Sequence, residues 1–376
     1  MDIYSEILSA LDTEERVMLA TIISTSGSTP ASALSKMLVK QNGIISVGTV
    51  GGGCMEGDVL LHANRLLTEQ KAEILKFHLN EDDLEHGLIC GGSLEVLIEP
   101  VTKENIPLFR ELQSFKNEGE DSLLVTHLAN NGIIKGKYLI PEHRLRTSSK
   151  DFLKNIAAAI SIPAETFEQQ LQNVFHRQET ERFKTDGGEI VFEPVTGSPD
   201  LIIFGGGHVS KFISRTASMA GFRVTIVDDR QKYSNPKRFP EAVKTFAVDF
   251  MKAFESLSVK QSSYIVIVTR GHRFDEDILE YALQTPAKYI GMIGSKRKVL
   301  TTYEHLVNRG VTIDSLRKVH APIGIEISAV TPEEIGISVA AQLIRARRGE
   351  QTLLQNKSEV MLELLAMLEQ HSLTHK

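Results

Sequence analysis

Two cysteines set among glycines, and a third glycine run that leads into a histidine, are the residues of this chain whose types and spacing could do chemistry. Cys54 follows Gly51, Gly52 and Gly53, with Glu56 and Asp58 just beyond. Three glycines clear side chains from a place where a bulky group must approach. Val59, Leu60, Ala63, Leu66 and Leu67 then recur at helical spacing, so the run opens a helix. Cys54 is thereby set beside the unpaired amides of a helix N-terminus. That setting favours a thiolate, the form that binds a soft metal or handles sulfur, and Glu56 suits the dipole of the first turn. The alternative is a core cysteine. Cys90 also precedes two glycines, so the fold could bring the two thiols together. With no CxxC pair and no histidine at ligand spacing, a structural zinc site is not expected. A cysteine hydrolase would need a histidine and a carboxylate that only the fold can bring near.

The second constellation is Gly205-Gly206-Gly207-His208-Val209-Ser210, which follows apolar LIIF and precedes a helical pattern. Glycine at the first two motif positions permits a tight turn and close phosphate approach, and the helix start supplies amide donors. The third motif position holds Ser210. Asp228 and Arg230, in VDDR, close the next strand-like run about twenty residues on, where a dinucleotide fold places its ribose acceptor. His208 could donate to a phosphate or face a substrate, or it is a surface histidine at a helix start. Arg270 and His272 follow a further strand-like run, and Ser295, Lys296 and Arg297 follow another. Ligands of open parallel sheets bind outside the carboxyl ends of the strands, so these cations are expected at a polyanion. The loop 320–324 (HAPIG) is a fourth candidate, whose direction the sequence leaves open.

These residues need elements to hold them. An amphipathic start feeds a strand over 17–24, and Asn42-Gly43 between KMLVK and GIISVGTV reads as a hairpin. Alternating Leu94, Val96 and Ile98 predict a strand with one buried face. Residues 101–195 carry a helix in KENIPLFRELQSF, a hairpin at Asn130-Asn131-Gly132 and a charged helical stretch TFEQQLQNVFHRQETERF, without concentrated chemistry. Asp186-Gly187-Gly188 turns into the strand EIVFEPV, and the turn-rich TGSP after it reads as a linker. Two domains follow, 1–195 and 196–376: an α+β cysteine-containing domain, then an α/β Rossmann-like domain with a doubly wound parallel sheet. Strands at 264–268 and 289–293 and a helix with Thr331 as cap, Pro332 first and Glu334 closing the box complete the second. The apolar stripe from Leu353 to Leu368 belongs to a terminal helix that packing or dimerisation would bury.

Bulk properties narrow the classes. With 376 residues and 41% hydrophobic content the chain can bury two cores. A formal charge of −6 gives no field that attracts nucleic acid. The N-terminus lacks a secretory pattern, no apolar run reaches the ~20 residues that span a bilayer, and two cysteines make no disulfide framework. A cytoplasmic protein without a membrane segment is expected.

Taken in order, GSTP with KMLV, GGGCMEG, CGGSLEVLIEP, FGGGHVSKF, VDDR, GMIGSKRK and HAPIGIEISAVTPEEI resemble the XdhC/CoxI family over most of the chain. Departures are Ala31 in place of a common arginine, Leu34-Ser35 in place of Gly-Ala, and Ser210 in place of Gly or Ala. The resemblance implies a homodimeric accessory protein, a chaperone and not an enzyme of metabolism. Such a protein binds the molybdenum cofactor, as molybdopterin or its dinucleotide form, and supports its sulfuration with a cysteine desulfurase. It delivers the cofactor to a xanthine dehydrogenase-type apoenzyme. Cys54 would then face molybdenum or carry sulfur, and the Rossmann loops would take the phosphate. The competing reading is an NAD(P)-dependent oxidoreductase with His208 or His272 as acid–base group, which leaves Cys54 without a task.

Overall fold

The computed structural model describes residues 2–41, 43–78, 92–146 and 150–348. The chain divides between Gly197 and Ser198 into two compact units. In the first, α1 (Ile3–Thr13) starts at an Asp2 cap and buries Tyr4, Ile7, Ala10 and Leu11, one face of an amphipathic helix. There follow β1 (Arg16–Ser26), β2 (Lys36–Val39), β3 (Ile45–Gly48), α2 (Gly53–Glu69), β4 (Glu73–His78) and β5 (Ser93–Thr102). The strands pair antiparallel in the order β3-β2-β1-β5-β4. Met55, Val59, Ala63 and Leu66 of α2 cover one face of this sheet, against Met18, Ala20, Ile22, Val96 and Ile98.

After α3 (Ile106–Glu118) come β6 (Ser122–Ala129), β7 (Ile134–Pro141), α4 (Glu142–Arg146), α5 (Lys150–Ala159), α6 (Ala164–Arg177), β8 (Glu181–Thr185) and β9 (Gly188–Val195). They make a second antiparallel sheet, β7-β6-β9-β8. Its far face is closed by α5 and α6 through Ile156, Phe167 and Leu171. Its near face meets the first sheet at Ile23, Leu97, Leu128 and Val191. Two expectations change here. β5 is buried on both faces, because Leu97 and Glu99 on its second face are covered by the second sheet. The charged helix stops at Arg177, where Gln178 turns left-handed; Arg182 and Phe183 pair with β9 instead of continuing a helix.

The second unit runs β10 (Asp200–Phe204), α7 (His208–Met219), β11 (Arg223–Asp228), β12 (Lys244–Ala247), α8 (Phe250–Ser256), β13 (Tyr264–Ile267), α9 (His272–Ala282), β14 (Tyr289–Met292), α10 (Lys296–Asn308), α11 (Ile313–Leu316), β15 (Val319–His320) and α12 (Pro332–Arg347). All strands are parallel, in the order β12-β11-β10-β13-β14-β15. Counted from β10 this is 3-2-1-4-5-6, the dinucleotide-binding order, whose switch point lies between β10 and β13. α7 and α12 cover one face through Ile213, Ala217, Val339 and Leu343. α8, α9 and α10 cover the other through Phe250, Ile278, Leu279 and Val299. The sheet is doubly wound, and its central strands are apolar throughout because both faces are covered. The Thr331–Glu334 capping box forms as its residues dictate. The stripe 353–368 lies outside the described residues.

Candidate functional site

In the first unit three motifs meet at one end of the sheet. Ser26 and Ser93 are paired at the ends of β1 and β5, which brings Gly92, just before β5, against the GSTP loop. A Cβ on Gly92 would lie 2.3 Å from the Ser28 carbonyl oxygen. On the other side of that loop a Cβ on Gly51 would lie 2.9 Å from Pro30 Cγ and 2.6 Å from Met55 Cε. The loop is thus held between the two glycine motifs. Gly52 and Gly53, at φ +75° and +62°, have no atom of the described residues within 4 Å of where a Cβ would sit. No side chain caps α2, and Cys54, its second residue, is an exposed free thiol. Glu56 is half-buried in the same first turn. Among the described residues no three His, Cys, Asp or Glu side chains gather to hold a metal ion. Cys90 lies outside the described residues.

In the second unit the glycine turn is built from its neighbours' carbonyls. A Cβ on Gly205 would lie 2.4 Å from the Val268 oxygen, and one on Gly206 would lie 2.1 Å from the Tyr233 oxygen. Only glycine permits these approaches. Gly206 donates its amide to Asp228 Oδ2 at 2.8 Å, while Arg238 donates to the carbonyls of Gly206 and Gly207 at 3.0 and 3.2 Å. Asp228 is 1% exposed and also accepts from the Arg230 amide, Nε and Nη2 at 3.1, 2.8 and 3.1 Å. Burial alone would raise its pKa, but the Arg230 side chain and the two amides outweigh that and hold the carboxyl below the usual carboxylate range. Arg230 also stacks over the Tyr233 ring, 3.7 Å from its centroid. The expected ribose acceptor is therefore engaged within the chain, positioning the glycine turn.

Arg270 follows β13 and Asp229 follows β11, the two strands that flank β10. They form a two-pronged pair, Nη1 to Oδ1 at 3.0 Å and Nη2 to Oδ2 at 2.8 Å, which spans the carboxyl end of β10. His208 is exposed as the first residue of α7. His272 begins α9. Ser295 caps α10 by accepting the Lys298 amide at 3.3 Å, and Lys296 and Arg297 are exposed in the first turn. The HAPIG loop leaves the carboxyl end of β15, the sheet edge, with the His320 ring stacked on Tyr289 and Gly324 held by Gln342 at 2.8 Å.

Sequence reasoning passed over four residues. Lys298 pairs with the fully buried Asp275, which also accepts from Thr269 Oγ1 at 2.6 Å, tying the loops after β13 and β14 together. A lysine three residues after a helix cap points back over the first turn, so its spacing from Ser295 was a usable sign. Asp229 stood beside Asp228 in VDDR. Arg238 had no local sign, since only the tertiary fold returns it to Gly206.

An anionic group fits the second unit. Among the described residues no side chain caps α7, nothing fills the space beside Gly207, and the Ser210 hydroxyl, 1% exposed, has no partner. No helix of the described residues is long and apolar enough to cross a membrane.

Comparison with known proteins places the chain. The family described as XdhC Rossmann domain matches residues 201–343, and that described as XdhC and CoxI family matches residues 10–78. The chain is similar to "Uncharacterized protein YqeB" of Escherichia coli (strain K12), 32% identical over 163 residues; this is 43% of the chain and only 30% of that longer relative. It is also similar to a protein of Bacillus subtilis (strain 168) described as a probable xanthine dehydrogenase subunit, 25% identical over 346 residues, 90% of this chain and 95% of that one. A crystal structure from Bacillus halodurans, described as a xanthine dehydrogenase, shares the fold with a TM-score of 0.71 at 24% identity, covering 94% of this chain and 98% of that one. With both matched segments in the order the motifs predicted, this chain belongs to the XdhC and CoxI family.

Proposed function

We propose that this chain is an accessory protein of a xanthine dehydrogenase-type molybdenum hydroxylase. In this reading it binds the molybdenum cofactor, supports its sulfuration together with a cysteine desulfurase, and passes it to the apoenzyme, working as a homodimer. Family membership and the name of the Bacillus subtilis relative support the client. The observation that carries the reading is the exposed Cys54 thiol at an uncapped helix start, beside two glycines that no described residue crowds. When bound, the cofactor would supply a soft, dithiolene-held metal and a phosphate. Cys54 suits the metal or its sulfur, and the amides of the α7 first turn suit the phosphate. The strand order of the second unit also suits NAD(P), but an oxidoreductase gives Cys54 nothing to do.

The test is anaerobic binding of the molybdenum cofactor to wild type and Cys54→Ala, followed by transfer to cofactor-free hydroxylase, with NAD(H) titrated alongside. Cys54→Ala should keep its fold within about 0.5 kcal/mol, as an exposed substitution does. Its retention of cofactor should fall on the order of 10–100-fold. Equal retention by the variant, or tight NAD(H) binding with substrate turnover, would replace this reading.

A further inference from the structure

We infer that Asp229, and not Asp228, is the carboxylate that reads the sugar of a nucleotide in the second unit, and that it selects a ribose whose 2′-hydroxyl is free. The inference rests on the reading that this unit binds a nucleotide-bearing ligand, and it specifies which nucleotide chemistry that ligand carries. In the dinucleotide fold an acidic residue at the end of the second strand accepts from the ribose, or an arginine nearby takes a 2′-phosphate. Both usual candidates are spent here. Asp228 is buried and receives four donors from Gly206 and Arg230, and Arg230 is committed to Asp228 and to the face of Tyr233.

Asp229 is the next residue on the same strand end, and its side chain is 25% exposed. Among the described residues it is held by Arg270, itself 43% exposed, and more distantly by Arg230 Nε at 3.5 Å. Both partners reach solvent at the carboxyl end of β10, so a ligand seated there can compete for either of them. A ribose diol can therefore take the carboxylate, while the released guanidinium turns to the ligand's phosphates, for which its two-pronged geometry is matched. A phosphate on the 2′-oxygen would instead meet the Asp229 charge, with Arg230 unable to offset it. The shared chemistry is a nucleoside diphosphate with a free 2′-hydroxyl, present both in NAD(H) and in the dinucleotide form of the molybdenum cofactor.

Calorimetric titration of the full-length chain with NAD+ and NADP+ tests this. Wild type should bind NAD+ at least about tenfold more tightly than NADP+, and Asp229→Asn should bring the ratio to within about twofold. Asp228→Asn should lower the melting temperature and weaken both nucleotides together. Displacement of NAD+ by the dinucleotide cofactor, and not by bare molybdopterin, would assign the sugar to that cofactor; without displacement the sugar belongs to a nicotinamide dinucleotide. A wild type indifferent to the 2′-phosphate, or a ratio that survives in Asp229→Asn, overturns the inference and leaves the nucleotide reading standing. If neither nucleotide binds wild type, the nucleotide reading itself falls.

Discussion

The two units bury charge in different places. In the first, Lys137 and Glu99 lie mid-strand on facing sheets, 2.6 Å apart and each 3% exposed, with Thr126 accepting from the same ammonium at 3.1 Å. Lys36 and Glu193 make a similar pair at 2.7 Å, with Thr21. In the second, the cores of the central strands β10, β13 and β14 are apolar, and the buried carboxylates lie outside them, Asp228 at the end of β11 and Asp275 and Glu276 in the first turns of α9. A parallel sheet wound on both faces has no room for charge except where its strands stop, so polar residues gather where ligands bind. Two antiparallel sheets laid face to face offer no such outlet. Their interior ions hold one sheet to the other.

The strongest way to break this comparison is to remove half of an interior pair. Lys137→Met leaves Glu99 charged and unpaired between the sheets and should cost about 3–5 kcal/mol in urea unfolding. Lys137→Met with Glu99→Leu should recover most of that loss, because well-packed apolar residues replace a buried pair at little cost. A double variant no more stable than the single would give the pair a role beyond joining the sheets.

The corresponding break in the second unit is smaller and falls on the glycine turn. Gly206→Ala places a methyl 2.1 Å from the Tyr233 oxygen and should cost about 1–3 kcal/mol while weakening nucleotide binding. Gly207→Ala, one residue on and open to space, should cost less than about 1 kcal/mol. Equal costs at the two positions would mean that the turn yields, and that its neighbours do not fix it.

How much of this was legible in the sequence follows from the same contrast. The second unit announced itself because its central strands were apolar runs and its site residues stood at or shortly after the ends of such runs, as with Gly205 after LIIF and Thr269-Arg270 after YIVIV. Local order there is also spatial order. What stayed hidden depended on distant return, such as Arg238 on the glycine carbonyls and the filling of Asp228 by Arg230. In the first unit the hairpin at Gly43 and the helix after Gly53 followed from turn chemistry and helical period. The second face of β5 did not, because a buried Glu99 among apolar residues reads as a solvent-facing position until its lysine partner, 38 residues on, is found.

The smallest effect sharpens the comparison through pH. His127, on β6 between Gly136 and Ile190, is 3% exposed, and neither ring nitrogen has a partner. Burial, helped by the charge of Lys135, pushes its pKa below the ordinary histidine value. An unfolded chain binds its proton near pH 6.5 while the folded one refuses it, so stability falls as pH drops below about 6.5 toward the lower folded value. The slope from this one group is at most about 1.4 kcal/mol per pH unit. His127→Leu should therefore gain stability relative to wild type as pH is lowered from 7 to 5, with the difference becoming constant above neutrality. The loss in wild type should appear in the first unit alone when the two units are followed by amide exchange, because among the described residues no histidine of the second unit is both buried and unpartnered. A difference between the proteins that does not change with pH would mean that the ring is accommodated as an apolar group and that its proton plays no part in holding the sheets together.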